Sequence, residues 1–191
     1  MLTPRRFYFL RHGETDWNRE HLAQGQTDIG LNDTGRTQAA AAAVLLRGRG
    51  LTCIVASPLR RARETAAIVA AVLALPVAVL DALKEASWGT REGTFPGEWF
   101  REWKRGVTPE GAEPYERYLD RALGAVNAAL EHDEPILVVA HGGIYWAIER
   151  ETGVRLPDDI PNATPMLHEP PTAARPAWAV SPVLARVTPG A

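Results

Sequence analysis

With 191 residues, 46% of them apolar and 23% charged, the chain is long enough to bury one sizeable core and short for two. Its formal charge of -2 gives no overall attraction to nucleic acid or to an anionic membrane surface, so any anion site must be a local cluster. The lone Cys53 cannot form an internal disulfide, the N-terminus lacks a signal-peptide pattern, and no apolar run approaches the roughly 20 residues that span a bilayer; a cytoplasmic protein is expected.

The apolar run Phe7-Tyr8-Phe9-Leu10 ends abruptly in Arg11-His12-Gly13. It predicts a buried central strand whose C-terminal end opens into a loop, where open α/β sheets place their ligands. The polar stretch from Gly13 to Leu31 is too long for an ordinary connection and reads as a functional loop. Asn32 is the expected N-cap of a helix carrying the alanine-rich run 38–43 and ending near Gly48 and Gly50. A strand over 53–56, with Cys53 as a small buried hydrophobe, leads to Ser57 and Pro58, read as N-cap and first helical residue. Leu59, Ala62, Ala66, Val69 and Leu73 then form one buried stripe. Arg60, Arg61 and Arg63 fall in the first turns, where an anion would offset their repulsion by the helix dipole; on a surface helix such arginines can simply be solvated, which is the expectation for Arg60 and Arg63.

A short strand is predicted over 77–80, with Glu85 beyond it at a strand end, where residue type alone suits a solvated carboxylate. The stretch from Phe95 to Gly111 mixes Trp99, Phe100, Trp103, Lys104 and Arg105 with Pro96, Gly97 and Pro109. It predicts a short helix, either in a mobile cap over a pocket or facing the core. Glu113-Pro114 opens a longer helix with Tyr115, Leu119, Ala122, Val126 and Leu130 on one stripe, ending before Pro135. Ile136–Ala140 then repeats the opening arrangement, running straight into His141-Gly142-Gly143 and a helix reaching about Thr152. In the proline-rich tail after Leu156, Met166-Leu167 and Trp178-Ala179-Val180 predict one or two edge strands. Asn162-Ala163-Thr164 matches a glycosylation sequon by chance in a cytoplasmic protein. With no repeat, linker or boundary, residues 1–191 are expected to form one domain with a cap segment at about 94–112.

Two buried strands that each deliver a His-Gly at the tip predict two imidazoles facing one another across a single phosphate pocket. Arg11-His12-Gly13 after a first strand resembles the signature of the histidine phosphatase superfamily, which includes the cofactor-dependent phosphoglycerate mutases. Residues 25–39 resemble a second block of that family, with Gly30 and Asn32 where Pro and Thr or Ser are usual. Residues 57–66 resemble its Ser-Pro-Leu-x-Arg-Ala-x-x-Thr-Ala block, and Leu83, Glu85, Gly89 and Glu92-Gly93 its acid-bearing block. The resemblance implies an α/β fold: a three-layer α/β/α sandwich with a mostly parallel central sheet and a small helical cap insertion.

It also implies roles. His12 would attack phosphorus through one ring nitrogen while a backbone acceptor holds its other N–H, and neighbouring guanidinium groups would keep it neutral. Arg11 and Arg61 would grip the phosphoryl oxygens, each with two parallel hydrogen bonds. His141, if protonated, and the Gly142 N–H would add donors where charge develops. Glu85 would be the proton donor and acceptor, and Asn18, Gln24 and Gly25 would fix the phosphate rim. This scheme requires no metal and no other cofactor.

Mutases of the family carry an arginine after the acid and His-Gly-Asn-Ser at the second histidine; here Ala86 and Gly143-Ile144 stand in those places, and hydrolysis is favoured. Phosphoglycerate mutase activity is the alternative. A zinc hydrolase using His12, His141 and Glu85 is opposed by the adjacent arginines, which would repel the cation. A non-catalytic phospho-ligand module is the third alternative. The expected partner is a small-molecule phosphate monoester, with the protein a monomer or homodimer, and the aromatic cap favours an apolar or ring-bearing leaving group.

Overall fold

In a computed structural model that describes residues 1–156 and 159–185, β1 (Phe7–Arg11) is buried along its first four residues, as a continuous apolar run requires. It lies between β4 (Ile136–Ala140), which pairs with it in parallel, and β5 (Met166–Glu169), which is antiparallel. With β2 (Ile54–Ala56), β3 (Val77–Val79) and β6 (Ala179–Pro182) the strand order is β3-β2-β4-β1-β5-β6. β1 to β4 are mutually parallel, and the tail adds an antiparallel pair.

Alternation along the strands sends side chains to two separate cores. Phe7, Phe9, Val55, Ile136 and Val138 pack with α5 (Tyr115–Ala129) and α6 (Gly142–Thr152) on one face. Tyr8, Leu10, Ile54, Leu137 and Val139 pack with α2 (Asp33–Leu46) and α3 (Arg60–Leu73) on the other. The result is the expected three-layer α/β/α sandwich. Among the described residues, no helix is long and apolar enough to cross a membrane.

Several local expectations need correction. The stretch after Gly13 contains a short helix, α1 (Asp16–Arg19), closed by a capping box between Thr15 and Asn18. Ser57 does not cap α3: that helix starts at Arg60 with extended Leu59 at its N-cap and no side-chain cap bond. The Ser57 hydroxyl instead lies 2.7 Å from His141 Nε2 and accepts from the Leu59 N–H at 3.3 Å, one residue short of the helix. Cys53 precedes β2 and is only half-buried. Glu85 is not at a strand end, because a 3-10 turn (Asp81–Leu83) separates it from β3. β5 is not an edge strand, since β6 covers its outer side. Residues 157–158 and 186–191 of the tail lie outside the described residues. The aromatic stretch proves to be divided: α4 (Glu98–Lys104) buries Trp103 fully in the core, leaves Trp99 and Phe100 half-buried and follows an exposed Phe95.

Candidate active site

Strand order explains why distant residues meet. β4 is inserted between β1 and β2, with Arg11 opposite Ala140 and Ala56 opposite Val139, so the three strands end side by side. The His12 N–H continues the ladder to the Ala140 carbonyl at 2.9 Å, and the Ser57 N–H does so to the Val139 carbonyl at 3.0 Å. His12, His141 and Ser57 therefore emerge at one end of the sheet. Asn162 steadies the first tip by donating to the His12 carbonyl at 2.8 Å; its sequon context concealed a positioning contact.

His12 is 3% exposed, and its Nδ1 lies 2.7 Å from the Gly13 carbonyl. A carbonyl can only accept, so Nδ1 carries the proton. Burial, then Arg61 and Arg11, push the imidazole well below its ordinary pKa, so Nε2 keeps a free lone pair at neutral pH. The two imidazoles do not face one another across a gap. Their centroids are 5.3 Å apart with planes tilted by 57°, too close to sandwich a phosphoryl group. His141 stands fully buried beside His12, its Nε2 2.7 Å from Ser57 Oγ and its Nδ1 without a protein partner. Burial and the Arg61 charge likewise hold it neutral in the free protein, unlike the protonated form considered from sequence.

Arg61 is 1% exposed and its guanidinium is brought down to about 10 by burial, which leaves it charged at neutral pH. Its Nη1 donates to the Thr27 carbonyl at 3.0 Å and its Nη2 to the Gly25 carbonyl at 2.7 Å. Glu92 fixes that loop, accepting from the Gln26 and Thr27 N–H groups, each at 2.9 Å. Gly25 thus meets Arg61 through its carbonyl, in a left-handed conformation (φ 54°) that suits glycine. Arg11 donates to the Ile160 carbonyl at 2.8 Å. In both arginines Nε–H is buried without a partner, as is Gln24 Oε1. Unpaired buried polar groups are rare in native proteins, and here most of those described cluster around one cavity.

That cavity, of about 330 Å³, is lined by Arg11, His12, Arg61, Glu85, Asn18 and Gln24 among others, and by the backbone at Gly25, Gly142 and Gly143. Glu85, 7% exposed, accepts from the Ala86 N–H at 3.0 Å, the Gly143 N–H at 3.1 Å and the Tyr118 hydroxyl. Arg121 secures the same segment through the carbonyls of Ala82 and Lys84. Among the described residues, no three or more His, Cys, Asp or Glu side chains are grouped as a metal site.

The histidine phosphatase superfamily (branch 1) model matches residues 7–162, which span every element described around the cavity. The chain belongs to the histidine phosphatase superfamily. An uncharacterized phosphatase, PhoE, of Bacillus subtilis (strain 168) is 38% identical over 145 residues, 74% of each chain. The glucosyl-3-phosphoglycerate phosphatase of Mycolicibacterium vanbaalenii is 35% identical over 163 residues, covering 75% of this chain and 72% of that one. A solved structure of a mycobacterial glucosyl-3-phosphoglycerate phosphatase with VO3 superimposes with a TM-score of 0.75 at 30% identity, covering 96% of this chain and all of the other. This histidine phosphatase is accordingly an enzyme of the phosphatase type.

Within the family frame, Gly143 has a local reason. A Cβ there would run into Glu85 Oε1 and Tyr118 Oη. The space that a larger residue would need after His-Gly is taken here by a tyrosine hydroxyl. Sequence reasoning missed Tyr118, although it falls four residues before Ala122 on the buried stripe; a tyrosine placed there needs a buried partner for its hydroxyl. It also missed Ser57, Glu92 and Asn162 as supports. Ser57 and Glu92 fall within the resembling blocks, but their contacts were not legible, because the partners of the three lie 84, 65 and 150 residues away.

Proposed function

We propose that this chain hydrolyses a small phosphate monoester through a phosphohistidine on His12. The observation that carries the reading is the bare Nε2 of a neutral His12 in a cavity that also holds two guanidinium Nε–H groups without partners. Nε2 forms a bond to phosphorus as the ester P–O bond breaks. Arg11 and Arg61 hold the equatorial oxygens, joined by the Gly142 N–H and by Nδ1–H of a neutral His141 whose Nε2 accepts from Ser57. Glu85, in its acid form, gives its proton to the departing oxygen. It then takes a proton from the water that attacks phosphorus, breaking the N–P bond and restoring His12. Net, ester and water become alcohol and inorganic phosphate. Asn18, Gln24 and Gly25 form the rim, residues 94–112 form the cap, and the single half-buried cysteine fits a cytoplasmic setting.

The test is to incubate the protein with a phosphate ester labelled in its phosphoryl group and quench it in alkali. We expect label on His12 in the wild type and none in His12→Asn, and with labelled 4-nitrophenyl phosphate, whose phenolate leaves without a proton, Glu85→Gln should accumulate label while releasing little phosphate. With 3-phosphoglycerate and its bisphosphate cofactor, we expect free phosphate rather than the isomer. Turnover that survives His12→Asn would overturn the scheme.

A further inference from the structure

The cavity has two chemically distinct ends. At one lie Arg11, His12, Arg61 and Glu85, the groups assigned above to the phosphoryl unit. The remaining wall, which must receive the leaving group, is built from Leu22, Ala23, Pro96 and three rings. Trp88, Phe100 and Trp146 form a continuous aromatic surface, with ring centroids 5.6 Å apart for Trp88 and Phe100 and 5.7 Å for Phe100 and Trp146. These three come from separate parts of the chain: the loop after Glu85, the cap helix α4 and helix α6.

Charge points the same way. Among the described residues lining the cavity, Arg11 and Arg61 are the only arginines or lysines, and both serve the phosphoryl end. Besides these and Glu85, the charged group lining the cavity is Asp159, an acid close enough to Arg11 and Lys104 to act on the charge of both. Lys104 is close, but its ammonium rests on the Trp146 ring at 4.1 Å and the Phe100 ring at 4.7 Å and lines the neighbouring clefts instead. Those cation–π contacts tie the cap helix to α6 and keep both rings in the wall. A second anion on the substrate would therefore meet mainly aromatic surface, with the neutral Trp88 N–H as a donor there and no further guanidinium or ammonium group to offset its lost hydration.

From this we infer that the substrate is a phosphate monoester of an uncharged, ring-bearing alcohol, and that the aromatic wall of Trp88, Phe100 and Trp146 selects against esters carrying a carboxylate or a second phosphate. The inference rests on the hydrolytic reading above and adds the class of leaving group. It separates this chain from a phosphoglycerate enzyme by the leaving-group wall rather than by the catalytic groups. Burial of one phenyl ring gives about 10- to 100-fold in kcat/KM.

Benzyl phosphate, glycerol 3-phosphate and 3-phosphoglycerate compare alcohols of similar intrinsic reactivity, so their ranking reports on the wall. We expect kcat/KM for benzyl phosphate to exceed that for glycerol 3-phosphate by about 10- to 100-fold, with 3-phosphoglycerate lowest. Phe100→Ala and Trp146→Ala should each shrink the benzyl-to-glycerol ratio by about tenfold, mainly through KM, and Trp146→Arg should raise the relative rate on 3-phosphoglycerate. Turnover of 3-phosphoglycerate equal to or faster than benzyl phosphate, with phosphohistidine formed, would overturn this inference and leave the catalytic scheme intact. Absence of turnover and of phosphohistidine with every ester would overturn both.

Discussion

Substituting Gly143 by alanine tests the coupling between the second strand tip and the proposed acid. The added Cβ would collide with Glu85 Oε1 and Tyr118 Oη and would sit 3.0 Å from Tyr118 Cζ. Tyr118 is fully buried and Trp103 packs on it at 6.1 Å between centroids, so the ring has little room to retreat and the Glu85 carboxyl must yield. Restoring van der Waals separation requires a shift on the order of 1 Å, and a displacement of that size costs roughly 100-fold in kcat. Overpacking should also lower stability by about 1–3 kcal/mol, which a melting curve would record while showing that the variant still folds. The control is Gly124→Ala, on the same helix as Tyr118, where a new Cβ meets nothing within 4 Å. The diagnostic assay compares benzyl phosphate, whose alkoxide needs a proton to leave, with 4-nitrophenyl phosphate, whose phenolate leaves without one. Gly143→Ala should lose about two orders of magnitude in kcat on the first and much less on the second. Equal losses on both esters, or wild-type kcat on benzyl phosphate, would refute the link between Gly143 and the acid.

The buried histidines make stability acid-sensitive. His12 and His141 are pushed well below their ordinary pKa and His168 down to about 3, all chiefly by burial, so the unfolded chain binds protons that the folded chain refuses. Stability is therefore full above the unfolded value near 6.5 and falls as pH drops below it. Three such groups should cost about 4 kcal/mol between pH 7.5 and 5.5, read as a lower denaturant midpoint. His168→Gln should remove about a third of that slope, and a midpoint that is the same at both pH values would contradict the neutral assignment. Ser57→Ala should lower kcat about tenfold, less than removal of a direct donor, and shift the His141 proton between ring nitrogens in a 15N spectrum. Ser57→Thr should restore both, and an unchanged tautomer in Ser57→Ala would show that Ser57 does not orient the ring.

What could be read from sequence was what a short stretch decides alone. The buried runs 7–10 and 136–140, the Asn32 cap and the Gly142 helix start each follow from local composition, and each is found in the structure. What could not be read was set by neighbours remote in the chain. Ser57 carries the residue type and proline context of an N-cap, yet β4 lies beside β2 and brings His141 within 2.7 Å, so the hydroxyl serves the imidazole while α3 starts uncapped. The aromatic stretch defeated a choice between lid and core because one turn of helix does both: Trp103 closes the core, and Phe100, three residues earlier, reaches the cavity. With Trp103 donating to the Glu113 carbonyl at 2.7 Å and fully buried, α4 is anchored in the core by the same turn that brings Phe100 to the proposed leaving-group wall.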